Sequence, residues 1–220
     1  MGQKRKLRAL DLFCCAGGAG TGLSQAGFEV VGVDIADQPD YPFEFHRADA
    51  LTFPTAGFDF IWASPPCQAY TGMQRLNTRS PKRDHPKLIE PVRELVNRSG
   101  ALFAIENVPG APLIDPIILC GSMFGLKVRR HRLFECNFPI LVPKCRHPKE
   151  SPIAVYGDHP QTPGDKTMRV NRARTLAEGR EAMGIDWMDW RHLTQAIPPA
   201  YSELIGRAAI AHIEAEWLAA

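Results

Sequence analysis

Four groups of residues in this chain have side chains suited to chemistry. The first is a thiol, Cys67, in the run Ser64-Pro65-Pro66-Cys67-Gln68. Two prolines stiffen its loop, and Arg75 and Arg79 follow downstream. A cysteine attacks as its thiolate, which needs a positively polarised, partly open surrounding. A cysteine taken alone is more often a small buried apolar side chain. The second group is Glu106-Asn107-Val108, at the end of an apolar run. A carboxylate there is costly to bury without a partner. Burial raises its pKa and lets it donate a proton near neutral pH; its plainer reading is a cap for the next turn. The third group is Arg129, Arg130 and Arg132, whose planar forks suit phosphate or a base edge. The fourth is Cys14 to Gly22, with glycines at 17, 18, 20 and 22. Such a turn lets backbone approach a ligand closely. No lysine follows these glycines, which disfavours a nucleoside triphosphate and favours an adenosine cofactor without a phosphate chain. Asp34 is placed to accept bonds from ribose hydroxyls.

These groups need elements to position them. Leu7 to Phe13 is short and apolar and reads as a buried strand. Thr21 to Ala26 predicts a helix closed by Gly27, and Glu29 to Asp34 a second strand. Strand, glycine turn, helix and strand open a doubly wound, mostly parallel α/β sheet, whose ligands lie beyond the carboxyl ends of the strands. Phe58 to Ala63, Ala101 to Ile105 and Leu133 to Phe138 predict further strands. Lys87 to Arg98 predicts a helix with Pro91 near its first turn and Gly100 as its cap. Tyr201 to Trp217 predicts a packed closing helix whose entry Pro198-Pro199 fixes. Pro139 to Asp165 holds six prolines and reads as loop.

The 220 residues are 45% hydrophobic and 23% charged, a composition of folded rather than disordered chains. The net charge of +2 does not by itself imply a polyanionic partner. The charge is uneven, however. From Lys127 to Glu150 seven basic residues face Glu135 and Glu150, a local net of +5. Arg75, Arg79, Lys82, Arg83 and Lys87 form a second basic group after Cys67. Two such groups flanking a thiol and a carboxylate fit a nucleic-acid backbone.

No apolar run nears the roughly 18 residues of a membrane span, and Met1 to Leu10 has no apolar signal core. The six cysteines are therefore expected as reduced thiols in a cytosol-like compartment. Cys136, Cys145 and His147, with Cys120 or His159, show no compact ligand pair, so no metal is assigned. His131 reads as a surface or backbone-contact residue, and Trp187 and Trp190 as packing.

In this order the motifs resemble the cytosine-5 methyltransferases that use S-adenosylmethionine. Asp11-Leu12-Phe13-Cys14-Cys15-Ala16-Gly17-Gly18 is similar to that family's cofactor motif, and Pro65-Pro66-Cys67-Gln68 to its nucleophile motif. Glu106-Asn107-Val108 is similar to its third signature, and Arg130 with Arg132 to its alternating arginines. Arg180 to Asp186 and Gln195 to Tyr201 resemble the closing motifs. The resemblance runs from about Leu7 to Gly206, and Leu88 to Pro91 gives it the style of compact phage-encoded members.

The resemblance implies a sheet of the S-adenosylmethionine-dependent methyltransferase type and transfer of a methyl group to C5 of cytosine in DNA. It implies that the Cys67 thiolate adds to C6 and that Glu106 contacts N3 and the exocyclic amine. Arg132 is expected at the base or its backbone, with Arg130 supporting the pocket. The methyl donor is expected over Phe13 and Gly17-Gly18, beside Cys14, Ala16, Pro65 and Gln195. Asp34 is expected to hold its ribose, Ile35 to pack on adenine, and Asp49 to accept from the adenine amine. Pro66, Gln68, Asn107, Val108, Arg75 and Arg79 are expected at the substrate. A base in a duplex must be flipped out, or the strand must be single.

Cys15 stands where the family usually has glycine, Asp34 where it has glutamate, Val128 where it often has glutamine, and Gln195 where asparagine is usual. Between the arginines and the closing motifs the family inserts a target-recognition domain. Here Leu133 to Ala173, 41 residues, fill that span. The expected division is a catalytic domain over 1–138 and 174–220 and a reduced recognition segment over 139–173. So short a segment implies relaxed target preference, or help from a protein partner or a second copy. Two other readings stay open: an enzyme acting on transfer RNA, and a catalytically inactive nucleic-acid-binding homologue. A phage-type member implies the bacterial host cytosol and no membrane partner.

Overall fold

The computed structural model describes residues 5–70, 85–147, 149–162 and 171–219. The strands are β1 (Arg8–Leu12), β2 (Glu29–Asp34), β3 (Glu44–Arg47), β4 (Phe60–Ala63), β5 (Leu102–Asn107), β6 (Ile117–Leu119) and β7 (Arg132–Cys136). The helices are α1 (Gly18–Ala26), α2 (Ile89–Ser99), α3 (Leu176–Met183), α4 (Trp190–Gln195) and α5 (Pro199–Ala219). The seven strands form one sheet in the order β3-β2-β1-β4-β5-β7-β6. Strands β1 to β5 are parallel, while β7 runs antiparallel to both β5 and β6. This is the mostly parallel, methyltransferase-type sheet that the resemblance implied.

Both sheet faces are covered, which is why the central strands are apolar at nearly every position. Phe60 and Trp62 point into one core with Leu23, Phe134, Tyr201 and Ile205, under α1 and α5. Ile61 and Ala63, alternating with them, point into the other with Val92 and Val96 of α2. A third cluster joins Val128, Val155, Met183, Trp190 and Leu193. It fastens the loop-rich segment to α3 and α4. That segment adds only one isolated bridge, Ala154 to Arg172, among the described residues.

The expected strands and both long helices are present, with Pro91 inside the first turn of α2 and Gly100 left-handed at φ 72°. Helix α1 differs: it begins at Gly18 rather than Thr21. Gly17 makes the turn at φ 81°. An ideal Cβ on Gly18 would lie 2.5 Å from the Ile197 carbonyl oxygen. The glycine there serves chain packing, since it lets α1 lie against the segment that enters α5. Sequence reading did not anticipate β3, β6, α3 or α4. Strand β3 is a mostly exposed edge with charged residues at both ends, so it lacks an apolar alternation to read.

No helix among the described residues is long and apolar enough to cross a membrane.

Candidate active site

Parallel strands bring their carboxyl ends to one edge, and there the four groups converge. The turn after β1, Asp34 at the end of β2, the Ser64–Gln68 loop after β4 and Glu106 near the end of β5 line one cleft of about 380 Å³. Because β7 is antiparallel, its first residue rather than its last reaches this edge. Arg132 Nε thereby stands 3.1 Å from Glu106 Oε1.

Glu106 is buried. Burial raises its pKa, against the opposing charges of Arg132 and Arg130 and a hydrogen bond from Ser64. The Ser64 hydroxyl is itself oriented by the Trp62 indole N–H, at 2.8 Å. The Cys67 thiol, half-buried, is also pushed up, first by burial and then by the Glu106 charge; Arg132 and Arg130 act against both. Burial and the Glu106 charge together outweigh the arginines, which moderate rather than reverse the effect. Asn107 is fully buried. Its amide donates to the Pro65 carbonyl at 2.9 Å and its Oδ1 accepts from Val108 N–H at 3.0 Å. It therefore ties the end of β5 to the loop that carries Cys67.

The turn after β1 is strained. Phe13 and Cys15 are left-handed at φ 60° and 44°, a region that costs a non-glycine residue about 1–2 kcal/mol. Asp34 holds it, one carboxylate oxygen accepting from Cys15 N–H and the other from Ala36 N–H, each at 3.0 Å. The Trp187 indole donates to the Ala16 carbonyl at 2.9 Å. Ile35, beside Asp34, lines the cleft with 74% of its surface exposed.

Most of the expected residues meet here. Phe13, Cys14, Ala16, Gly18, Asp34, Ile35, Pro65 and Gln195 line the cleft, as do Pro66, Cys67, Gln68, Glu106, Val108 and Arg132. Four expected residues do not line it. Gly17 is turned toward Pro42 and Tyr41. Asp49 is exposed and accepts from Leu51 N–H, capping its own turn. Asn107 is engaged as above. Arg130, left-handed at φ 37°, donates to the carbonyls of Thr194 (2.6 Å) and Val155 (3.3 Å). Tyr201 donates to the Arg130 carbonyl at 2.9 Å. Arg130 is thus a brace joining three chain segments. Arg75 and Arg79 lie outside the described residues.

Sequence reading gives no site role to Asp11, Cys15, Ala19, Ser64, Met188, His192, Thr194, Ala196 and Ile197, which also line the cleft. Most belong to the stretch around α4, far along the chain from the glycine turn, and carry no local signal.

Residues 7–113 match the family model for C-5 cytosine-specific DNA methylase. No curated protein matches the chain significantly. Among solved structures, it is similar to a DNA modification methyltransferase encoded within an E. coli prophage, with 16% identity, 95% of this chain and 100% of the other covered and a TM-score of 0.64. It is similar also to Entamoeba histolytica methyltransferase EhMeth, with 11% identity, 96% and 99% covered and a TM-score of 0.62. For Spodoptera frugiperda DNMT2 the figures are 12%, 93%, 100% and 0.58. At these identities the neighbours speak to the fold. The family match spans the glycine turn, the Cys67 loop and Glu106, so the residues that β1, β4 and β5 bring to the cleft lie in a stretch similar to C-5 cytosine-specific DNA methylase.

Proposed function

We propose that this protein transfers a methyl group from S-adenosylmethionine to C5 of cytosine in DNA, with Cys67 as nucleophile. The observation that carries this reading is the convergence of Cys67, Glu106 and Arg132 on one cleft with the strained turn after β1. The cleft falls within the roughly 300–1,000 Å³ of small-molecule sites. Exposed Ile35 is an apolar platform for an adenine ring. Each Asp34 oxygen retains an acceptor site for ribose hydroxyls. The residues present therefore fit the cofactor, which supplies an electrophilic methyl group when bound.

Cys67 gives its proton up as it adds to cytosine C6, and the ring's electron density moves to C5. Glu106, whose pKa burial raises, donates to N3 in its protonated form and accepts from the exocyclic amine, so charge developing on the ring is neutralised. Arg132 orients Glu106 and approaches the base. Asn107 acts through Pro65 as a positioning residue for the Cys67 loop. Once C5 carries the transferred methyl group, loss of the C5 proton expels the thiolate and restores the aromatic ring. We assign residues 139–173 as the recognition element, docked through Val155 on the third core. The catalytic domain then comprises 1–138 and 174–220. Exposed Lys144 and Arg146 supply phosphate contacts.

Nucleoside mass spectrometry of DNA from expressing cells tests the reading: 5-methylcytosine is expected, and none with Cys67→Ser. DNA carrying 5-fluorocytosine should trap a covalent adduct on Cys67. Methylation of transfer RNA but not of duplex or single-stranded DNA would overturn the substrate assignment.

A further inference from the structure

Four residues outside the cleft lining converge on one point. They are Cys120, directly after β6; His131, directly before β7; and Cys145 and His147, on the segment after β7. One ligand atom from each lies within 4.8 Å of all the others. We propose that these residues form a tetrahedral zinc site that fastens the segment after β7 to the β6–β7 edge. The sequence, read by spacing, assigns no metal; it groups Cys136, Cys145 and His147 with Cys120 or His159 and leaves out His131. Cys136 lies at the opposite end of β7 from His131, and His159 Nδ1 engages the Pro160 carbonyl.

The distances suit zinc. Tetrahedral zinc, with bonds of about 2.3 Å to sulfur and 2.0–2.1 Å to nitrogen, places sulfur and nitrogen about 3.6 Å apart. Cys120 Sγ lies 3.6 Å from His147 Nε2, and Cys145 Sγ lies 3.6 Å from His131 Nε2. Cys145 Sγ and His147 Nε2 are closer, at 3.0 Å, and need to separate slightly on binding. Two thiolates and two imidazoles form a closed donor set, which marks a structural rather than a catalytic zinc. The Ser122 hydroxyl lies 3.2 Å from Cys120 Sγ and 3.8 Å from Cys145 Sγ, where its one O–H can donate to either thiolate.

The surroundings give the ion a task. Every residue from Pro143 to His147 is exposed, so apolar burial does not hold that stretch in place. A thiol offers only weak hydrogen bonds to an imidazole. A metal bond would supply the missing attachment. Its His131 ligand separates the brace Arg130 from Arg132, the partner of Glu106, so the same ion would stiffen the backbone that presents both arginines. Zinc binding itself does not depend on the reading of the cleft.

The experiment is metal analysis of the whole protein purified without chelator, followed by Co²⁺ replacement. About one zinc per chain is expected, and the cobalt form should show tetrahedral d–d bands with sulfur-to-cobalt charge transfer. Cys145→Ser and His147→Ala, at exposed positions, should each abolish both signals. Ser122→Ala should weaken zinc binding about 10- to 100-fold. Cys136→Ser and Cys67→Ser should retain one zinc per chain. The proposal fails if Zn²⁺-reconstituted protein emerges from gel filtration without metal. It also fails if bound metal survives both ligand substitutions, or if peptide mapping finds a Cys120–Cys145 disulfide in place of the ion.

Discussion

Glu106 and Glu135 lie on neighbouring antiparallel strands, with Glu106 opposite Phe134 and Ile105 opposite Glu135. Both are buried and both meet an arginine, yet they sit on opposite faces of the sheet and differ in satisfaction. Glu135 receives two parallel bonds from Arg93, at 2.7 and 2.8 Å, and a third from Ile114 N–H at 2.8 Å. Arg93 is further held by Glu90 and the Pro112 carbonyl. Glu106 has one 3.1 Å contact with Arg132 and the Ser64 hydroxyl, and faces the cleft. A saturated carboxylate is a staple; one left short keeps a raised pKa and free bonding capacity for a substrate. Asp11 extends the series. It is buried at the cleft with Tyr41 and Gly20 N–H as its hydrogen-bond donors, and its pKa is pushed up to about 7, mainly by burial.

The largest expected effect breaks the saturated pair. Arg93→Ala leaves Glu135 buried and unpaired, so unfolding in urea should show a loss of about 3–5 kcal/mol. Methyl transfer per folded molecule should be nearly unchanged. Replacing both partners, as Arg93→Met with Glu135→Leu, should recover most of that stability.

The under-satisfied pair should behave the opposite way. Glu106→Gln should lower kcat by about 10²- to 10³-fold with stability unchanged or improved. It also removes the charge that raises Cys67, so peptide-mapped alkylation of Cys67 should begin at lower pH; Arg132→Ala should shift it to higher pH. Identical alkylation profiles in all three proteins would refute the electrostatic coupling.

Asp11 is the titratable test. Its folded pKa lies above the unfolded value of 3.8. Its contribution to stability is thus complete below that value and is lost as pH rises through about 7. Asp11→Asn should be more stable than the parent by about 4 kcal/mol at pH 8, a gain that disappears by about pH 4. Thermal melts across that range measure it.

The smallest effect concerns backbone strain. Cys15→Gly should relieve the left-handed penalty and stabilise by about 1 kcal/mol. It should also tighten S-adenosylmethionine binding, measured by calorimetry, by widening the approach beside Asp34.

Much of the site was legible because parallel strands repeat one rule. Each ends at the same edge, so Asp34, Cys67 and Glu106 could be placed from their positions after apolar runs. Residues at or near that edge also have local tasks. Asp49 follows the right strand but caps its own turn. Asn107 and Arg130 carry polar groups that backbone carbonyls consume. The glycines of the first turn predict room for a cofactor; Gly18 lines the cleft and also makes room for Ile197.

By itself the sequence determined the strand periodicity, the order of the reactive side chains and the uneven basic charge, because each is a property of neighbouring residues. Only the tertiary structure decided that β7 runs backwards and so delivers Arg132 to Glu106. It alone set Met188, His192 and Thr194 into the cleft wall and gathered two cysteines and two histidines from three stretches of chain. Those meetings join residues far apart in sequence. They are set by which apolar faces can be buried together, which no local pattern records.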